Sequence, residues 1–199
     1  MGELDRLVGL IYILYICCMN QEAISTKQKI LDTASRLFHQ QGYNSTGINQ
    51  IIKEAGVAKG SLYHLFKSKE ELCVEYLTQR HISWLNSLTS FTSKVRTAKS
   101  RAVAAFDFIY EMNKSENFRG CSFLNIISEI SPDEKAILVV IQRHKHDLRN
   151  FFRKALKEHR EDTIDHVYIL FEGSIIESQL FRQQWPVEKA KKFVTALLK

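Results

Sequence analysis

Two prolines and eight glycines are all the strong backbone breakers in 199 residues. So little punctuation excludes a fold of many short strands and tight turns and predicts long helices. No stretch alternates apolar and polar residues over strand length, and no internal repeat or low-complexity tract is present. The four cysteines, Cys17, Cys18, Cys73 and Cys121, have neither Cys-x-x-Cys spacing nor the density of a secreted scaffold. They read as reduced thiols of a cytoplasmic protein. No two of the seven histidines stand four apart on one helix, which leaves a zinc site without support; neither a metal nor a cofactor is expected. A glycine-rich phosphate loop, a G-x-S-x-G elbow and a catalytic carboxylate set are all missing, so an enzyme is not expected.

What is present is a basic, ordinarily apolar chain. Apolar content of 45% against 25% charged places it among folded domains. The net charge of +6 permits a nucleic-acid partner but does not require one. Locally the charge is more telling. Between Ser25 and Lys69 the cations Lys27, Lys29, Arg36, Lys53, Lys59, Lys67 and Lys69 face only Asp32 and Glu54. Lys27 and Lys29 read as a solvated face with some pull on DNA rather than as specific contacts.

The apolar run from Leu7 to Met19 is too short for a membrane span, which needs about 20 residues. Glu3 and Asp5 spoil the positive start of a signal peptide, and no small-x-small cleavage site follows. Residues 1–18 are taken as an apolar leader, the alternative being a start at Met19, and no membrane partner is expected.

The most informative stretch is TGINQIIKEAGVAKGSLYHLFKSKEE, residues 46–71. Taking Ile48 as the first position of a helix-turn-helix puts Gly56 at the ninth, where the first helix must end and reverse. Ile51, Ala55, Val57, Leu62 and Leu65 fall where two short crossing helices touch. The second helix then keeps Lys59, Gly60, Ser61, Tyr63, His64 and Lys67 off its packed side, small, cationic and aromatic groups suited to phosphates and base edges. For Tyr63 a place in the core is the competing reading.

Around this unit, a first helix is expected over Thr26–Gln41 with a Ser25/Gln28 capping box and a stop at Gly42. Ile30, Ala34, Leu37 and Phe38 form its apolar stripe, and Tyr43 packs at the corner. Thr46 is expected to cap the second helix. Ser68 opens a fourth that reaches about Leu88, with Glu70 and Glu71 at its positive end. A polar loop is expected over Thr89–Ser100. Beyond it, helices are expected over Ala102–Glu116, the CSFLNIISEIS segment, Asp133–Arg160, Asp162 or Thr163 to Gln184, and from Pro186 onward.

The quoted pieces KQKILDTASRLFHQQGY, ST and AGVAKGSLYHLFKSKEEL resemble the DNA-binding domain of TetR/AcrR-type transcriptional regulators, over Ser25 to Leu72. Ala58 departs from the pattern, standing where the family has a capping serine; a lost cap costs about 1 kcal/mol. The resemblance implies an all-α fold of about nine helices. It divides into a helix-turn-helix domain over residues 19–70 and a larger effector-binding and dimerisation domain over 71–199. It implies base reading by Lys59, Gly60 and Ser61, phosphate contacts by Thr46, Tyr63 and Lys67, and either role for His64.

By the same resemblance the aromatics Trp84, Phe106, Tyr110, Phe123, Phe151, Phe152 and Tyr168 surround an effector cavity, with Glu172 and Gln179 available to orient a ligand. Taken singly each aromatic is better explained as core. Together they point to an apolar or aromatic effector. TIDHVYILFEGSIIESQLF is apolar almost all round and needs burial on two sides. The resemblance makes it and the last helix the seam of a homodimer, with Phe171, Ser174, Ile175, Ser178 and Leu197 as interface candidates. RGCSFLN around Cys121 is similar to a segment in one branch of the family; a redox-sensing thiol and a buried thiol both remain open, with Arg119 as the neighbouring cation.

Two functions follow. One is a cytoplasmic, homodimeric repressor released from a palindromic operator on double-stranded DNA by a small effector. The other is a DNA-binding adaptor whose helical domain docks a protein. A closed aromatic cavity favours the first; a solid core with an exposed groove favours the second.

Overall fold

The computed structural model describes residues 25–198, and these form nine helices and no strand. The apolar run at 7–19 and the reading of Met19 as a start lie outside the described residues. Two compact units divide between Cys73 and Val74.

In the first unit, α1 is helical over residues 25–41. It buries Ile30, Leu31, Ala34, Leu37 and Phe38, the stripe its spacing predicts. Ser25 is already helical, and the Gln28 amide donates forward to Asp32 at 2.8 Å rather than closing a capping box. Tyr43 is buried with its ring 5.5 Å from that of Phe38.

Next come α2 (Ile48–Ala55) and α3 (Lys59–Leu65). Gly47, not Thr46, caps α2, and no side chain bonds that end. Thr46 instead turns inward and donates its hydroxyl to the Gly42 carbonyl at 2.6 Å. Gly56 closes α2 in the left-handed region at φ 64°, where a residue with a Cβ is strained. The Gly56 N–H then reaches the Lys53 carbonyl and the Val57 N–H the Ile52 carbonyl, satisfying the helix's last acceptors. Ala58 starts α3 without a side-chain bond. The α3 core contact is Leu62; Leu65 is only half-buried, and Phe66 just beyond fills the interior.

Helix α4 (Lys69–Thr92) begins at Ser68, whose hydroxyl accepts the Glu71 N–H at 3.0 Å while the Glu71 carboxylate accepts the Lys67 N–H at 2.7 Å. Its remainder lies in the second unit, with α5 (Ala98–Ser115), α6 (Ser122–Ile127), α7 (Lys135–Ala155), α8 (Glu161–Phe181) and α9 (Trp185–Leu197). The polar stretch expected to be a loop is mostly helix. Thr92 and Ser93 donate to carbonyls within α4, so their hydroxyls need no loop, and Phe91 packs edge-on to Phe108. Thr97 caps α5 by accepting the Ser100 N–H.

α7 stops at Ala155, short of Arg160, and α8 runs to Phe181 rather than Gln184, closed by Arg182 at φ 51°. Arg149 grips Asp165 in two bonds of 2.6 and 2.7 Å, and Arg153 pairs with Glu161, tying α7 to α8. The core is aromatic at its centre: Phe171 meets Phe106 at 5.4 Å and Phe152 at 5.1 Å between ring centroids. Leu148, Ile164, Val167, Ile175, Val187 and Val194 surround them. Truncating any one of these phenylalanines to alanine costs about 3–5 kcal/mol. No helix among the described residues is long and apolar enough to cross a membrane.

Candidate functional site

The first unit leaves one face of α3 open. With Leu62 buried, Lys59, Gly60, Tyr63 and His64 are exposed, Ser61 is half-buried and Lys67 is exposed just after the helix. Tyr63 is 46% exposed, which removes the core reading, and Lys59 lies 6.0 Å over its ring. A Cβ built on Gly60 meets nothing within 4 Å. Packing within the fold therefore does not require that glycine.

Thr46 is the exception among the expected DNA contacts. Its side chain is fully buried and its hydroxyl is committed to Gly42, so it shapes the corner and offers nothing to a phosphate. The basic patch is also smaller than the charge count. Arg36 bonds Glu54 at 2.5 Å, and that bond, with one from Gln50, holds the Glu54 carboxyl below its ordinary pKa. Lys27 and Lys69 lean over the rings of Phe66 and Tyr43.

The second unit holds a cavity of about 480 Å³ measured out to its mouth, only a small part of it wide enough for water. Three of the expected ligand residues meet there: Trp84, Phe123 and Glu172. The others do not. Phe152 is core, and Phe106 and Tyr110 border a separate cleft between α5 and α9. Tyr168 is half-buried against the core and does not line the cavity. Gln179 reaches Asn125 instead, with its amide so close to Gly120 that a Cβ there would lie 2.0 Å from Gln179 Oε1.

The residues that sequence reasoning missed are the polar ones. Arg80 pairs with Glu116, and Lys145 bonds Glu172 at 2.6 Å and Cys121 Sγ at 3.5 Å. The cation beside Cys121 is thus Lys145, from α7, rather than Arg119. Burial works against the Lys145 ammonium, but Cys121 and Glu172 outweigh it and raise its pKa above the usual lysine value. His144 lies on the buried stripe of α7, one helical step from Ile141, where only apolar residues were expected. Burial first, then the charges of Lys145, His81 and Arg80, push its pKa down to about 2. Among the described residues no group of three His, Cys, Asp or Glu side chains is placed to hold a metal.

The expected interface residues divide by burial. Phe171, Ser174, Ile175 and Ser178 are all buried inside the unit, and Ser174 and Ser178 bond back to carbonyls of their own helix. Leu197 alone of the five is exposed. The open side of α8 carries Ile169, Ile176 and Leu180 instead, exposed at 63%, 48% and 69%. Phe181, Trp185 and Phe193 add to this apolar surface on α8 and α9. A helix apolar on every face gives periodicity no way to tell which side faces out.

Residues 30–76 match the family described as "Bacterial regulatory proteins, tetR family". Over 54 residues the chain is 61% identical to the uncharacterized HTH-type transcriptional regulator YxaF of Bacillus subtilis, covering 27% of this chain and 28% of that protein. It is 29% identical to an HTH-type transcriptional regulator of Staphylococcus aureus over 78% of this chain and 72% of that one. The chain thus spans well under two thirds of the first of these relatives. Among solved structures, a TetR-family transcriptional regulator from Streptomyces coelicolor superposes with a TM-score of 0.73 at 26% identity, covering 87% of this chain and 88% of that one. With the turn at Gly56 and the exposed α3 face in place, residues 30–76 carry the domain by which the tetR family of bacterial regulatory proteins is recognised, and the chain is similar in fold to a regulator of that family.

Proposed function

We propose that the chain is a cytoplasmic transcriptional repressor and not an enzyme, acting as a homodimer on a near-palindromic duplex operator. The observation that carries this reading is the exposed set Lys59, Gly60, Tyr63 and His64 on a helix anchored by Leu62. Ser61 and Lys67 complete it, the lysine as a phosphate contact. Thr46 has no part in it. Homodimerisation is supported by the apolar surface of Ile169, Ile176 and Leu180 on α8 with Phe193 and Leu197 on α9. A dimer would place two recognition helices about 34–36 Å apart, one DNA turn.

Release is assigned to a small apolar or aromatic effector held in the cavity at Trp84, Phe123 and Glu172. The aromatic rings of Trp84 and Phe123 at this cavity support this over an adaptor that docks a protein. Selection from a random duplex pool tests the DNA reading: an enriched palindromic motif is expected, and no enrichment over the starting pool overturns it.

A further inference from the structure

The polar groups that line this cavity are unequally satisfied. Its charges come in matched pairs, Arg80 with Glu116 and Lys145 with Glu172. What remains open is an acceptor. Glu172 gives Oε2 to Lys145, while its Oε1 is buried without a hydrogen-bond partner. A buried carboxylate oxygen with no donor is costly to leave, and such an atom calls for something to fill it.

His144 adds a second acceptor. The Asp147 carboxylate only accepts, and it lies 3.4 Å from His81 Nε2, so that nitrogen carries the hydrogen. Neutral His81 then has a bare Nδ1, which stands 3.2 Å from Nδ1 of His144. One hydrogen fits between them, and it must come from His144. The nitrogen left on His144, Nε2, is an acceptor, on a ring that lines the cavity beside Trp84 and Phe123.

Resting on the effector reading above, we propose that the effector is an uncharged, flat aromatic molecule bearing an O–H or N–H donor directed at Glu172 Oε1. A carboxylate ligand would set its charge against two acceptors. An ammonium would bury an extra charge where Lys145 already balances Glu172. A purely apolar ligand would leave Oε1 as it is. The rings of Trp84, Phe123 and His144 on the lining favour an aromatic ligand.

The test uses the full chain and four para-substituted probes in calorimetry: para-ethylphenol, para-ethylanisole, para-ethylbenzoate and para-ethylbenzylammonium. The phenol should bind about 10-fold or more tightly than its methyl ether, the size of a hydrogen bond to a charged acceptor. Glu172→Gln should shrink that ratio. Equal affinity for phenol and ether, or strongest binding of the carboxylate or the ammonium, overturns the proposal and leaves a ligand-responsive regulator intact. Binding by none of the four overturns it too; the effector reading then fails separately if organic extracts of the source cells never displace the operator.

Discussion

Phe123 and His144 lie face to face, 3.7 Å between ring centroids and 6° from parallel. The imidazole is thus held as an aromatic plate, with Lys145 beside it in sequence and the positive charge of Arg80 near enough to oppose protonation. It donates to His81 on α4, which donates in turn to Asp147 on the helix of His144, a hydrogen-bond chain suited to the neutral ring.

A pH dependence follows. The folded His144 pKa of about 2 lies below the ordinary 6.5, so between those values the unfolded chain binds a proton that the folded one refuses. Stability is therefore full above pH 6.5 and lost as pH falls, at about 1.4 kcal/mol per pH unit for this one group. His81, lowered first by burial, adds to the same trend. Denaturant melts of wild type and His144→Phe should diverge as pH drops from 7 to about 4.5, the variant losing less. Parallel curves would mean that His144 is protonated in the folded state.

On α3, Lys67→Ala should weaken binding to all duplexes alike and lower the salt slope by about one. Lys59→Ala should change preference at defined base positions, by about 1–3 kcal/mol. Thr46→Val should leave both quantities alone and lower the melting temperature, since it deletes a buried bond to Gly42. Fluorescence anisotropy over several salt concentrations separates the three behaviours.

Leu180→Glu on the exposed side of α8 should yield folded monomers by light scattering, with operator affinity falling steeply as the second half-site is lost. Ile175→Glu, one turn away but buried, should unfold the second unit, since an unpaired charge there costs several kcal/mol. A dimeric Leu180→Glu protein would place the interface elsewhere.

Gly56→Ala isolates a backbone cost. A Cβ at Gly56 meets nothing within 4 Å, so only the left-handed φ of 64° penalises alanine. A loss of about 1 kcal/mol is expected from chemical denaturation. No loss would mean that the turn relaxes.

The first unit was largely legible from its residues because its constraints are local. Gly56 had to permit reversal, and Ile51 and Leu62 had to touch across it. Thr46 misled for a physical reason: a threonine before a helix serves equally as a cap and as an inward-turned corner, and only the nearby Gly42 carbonyl decides. The second unit was less legible because its site is assembled from residues far apart in the chain. Glu172 stood out among apolar neighbours, but Arg80, Glu116 and Lys145 look singly like solvated charges, and their partners lie 27 to 36 residues away. His144 sat on an apolar stripe where periodicity favours hydrocarbon, and nothing within α7 reveals the ring of Phe123 waiting for it.

Helix α3 has seven residues and no side-chain cap at its start. An isolated helix that short does not persist in water, where about 12–15 residues are needed even for good formers. Its shape is borrowed from the packing of Leu62 and Phe66 against the rest of the first unit. On the DNA reading proposed above, discrimination between sequences and thermal robustness become one property: a variant that loosens the unit should blur base choice while its lysines still attract phosphate, and so wander over the genome before it lets go of it.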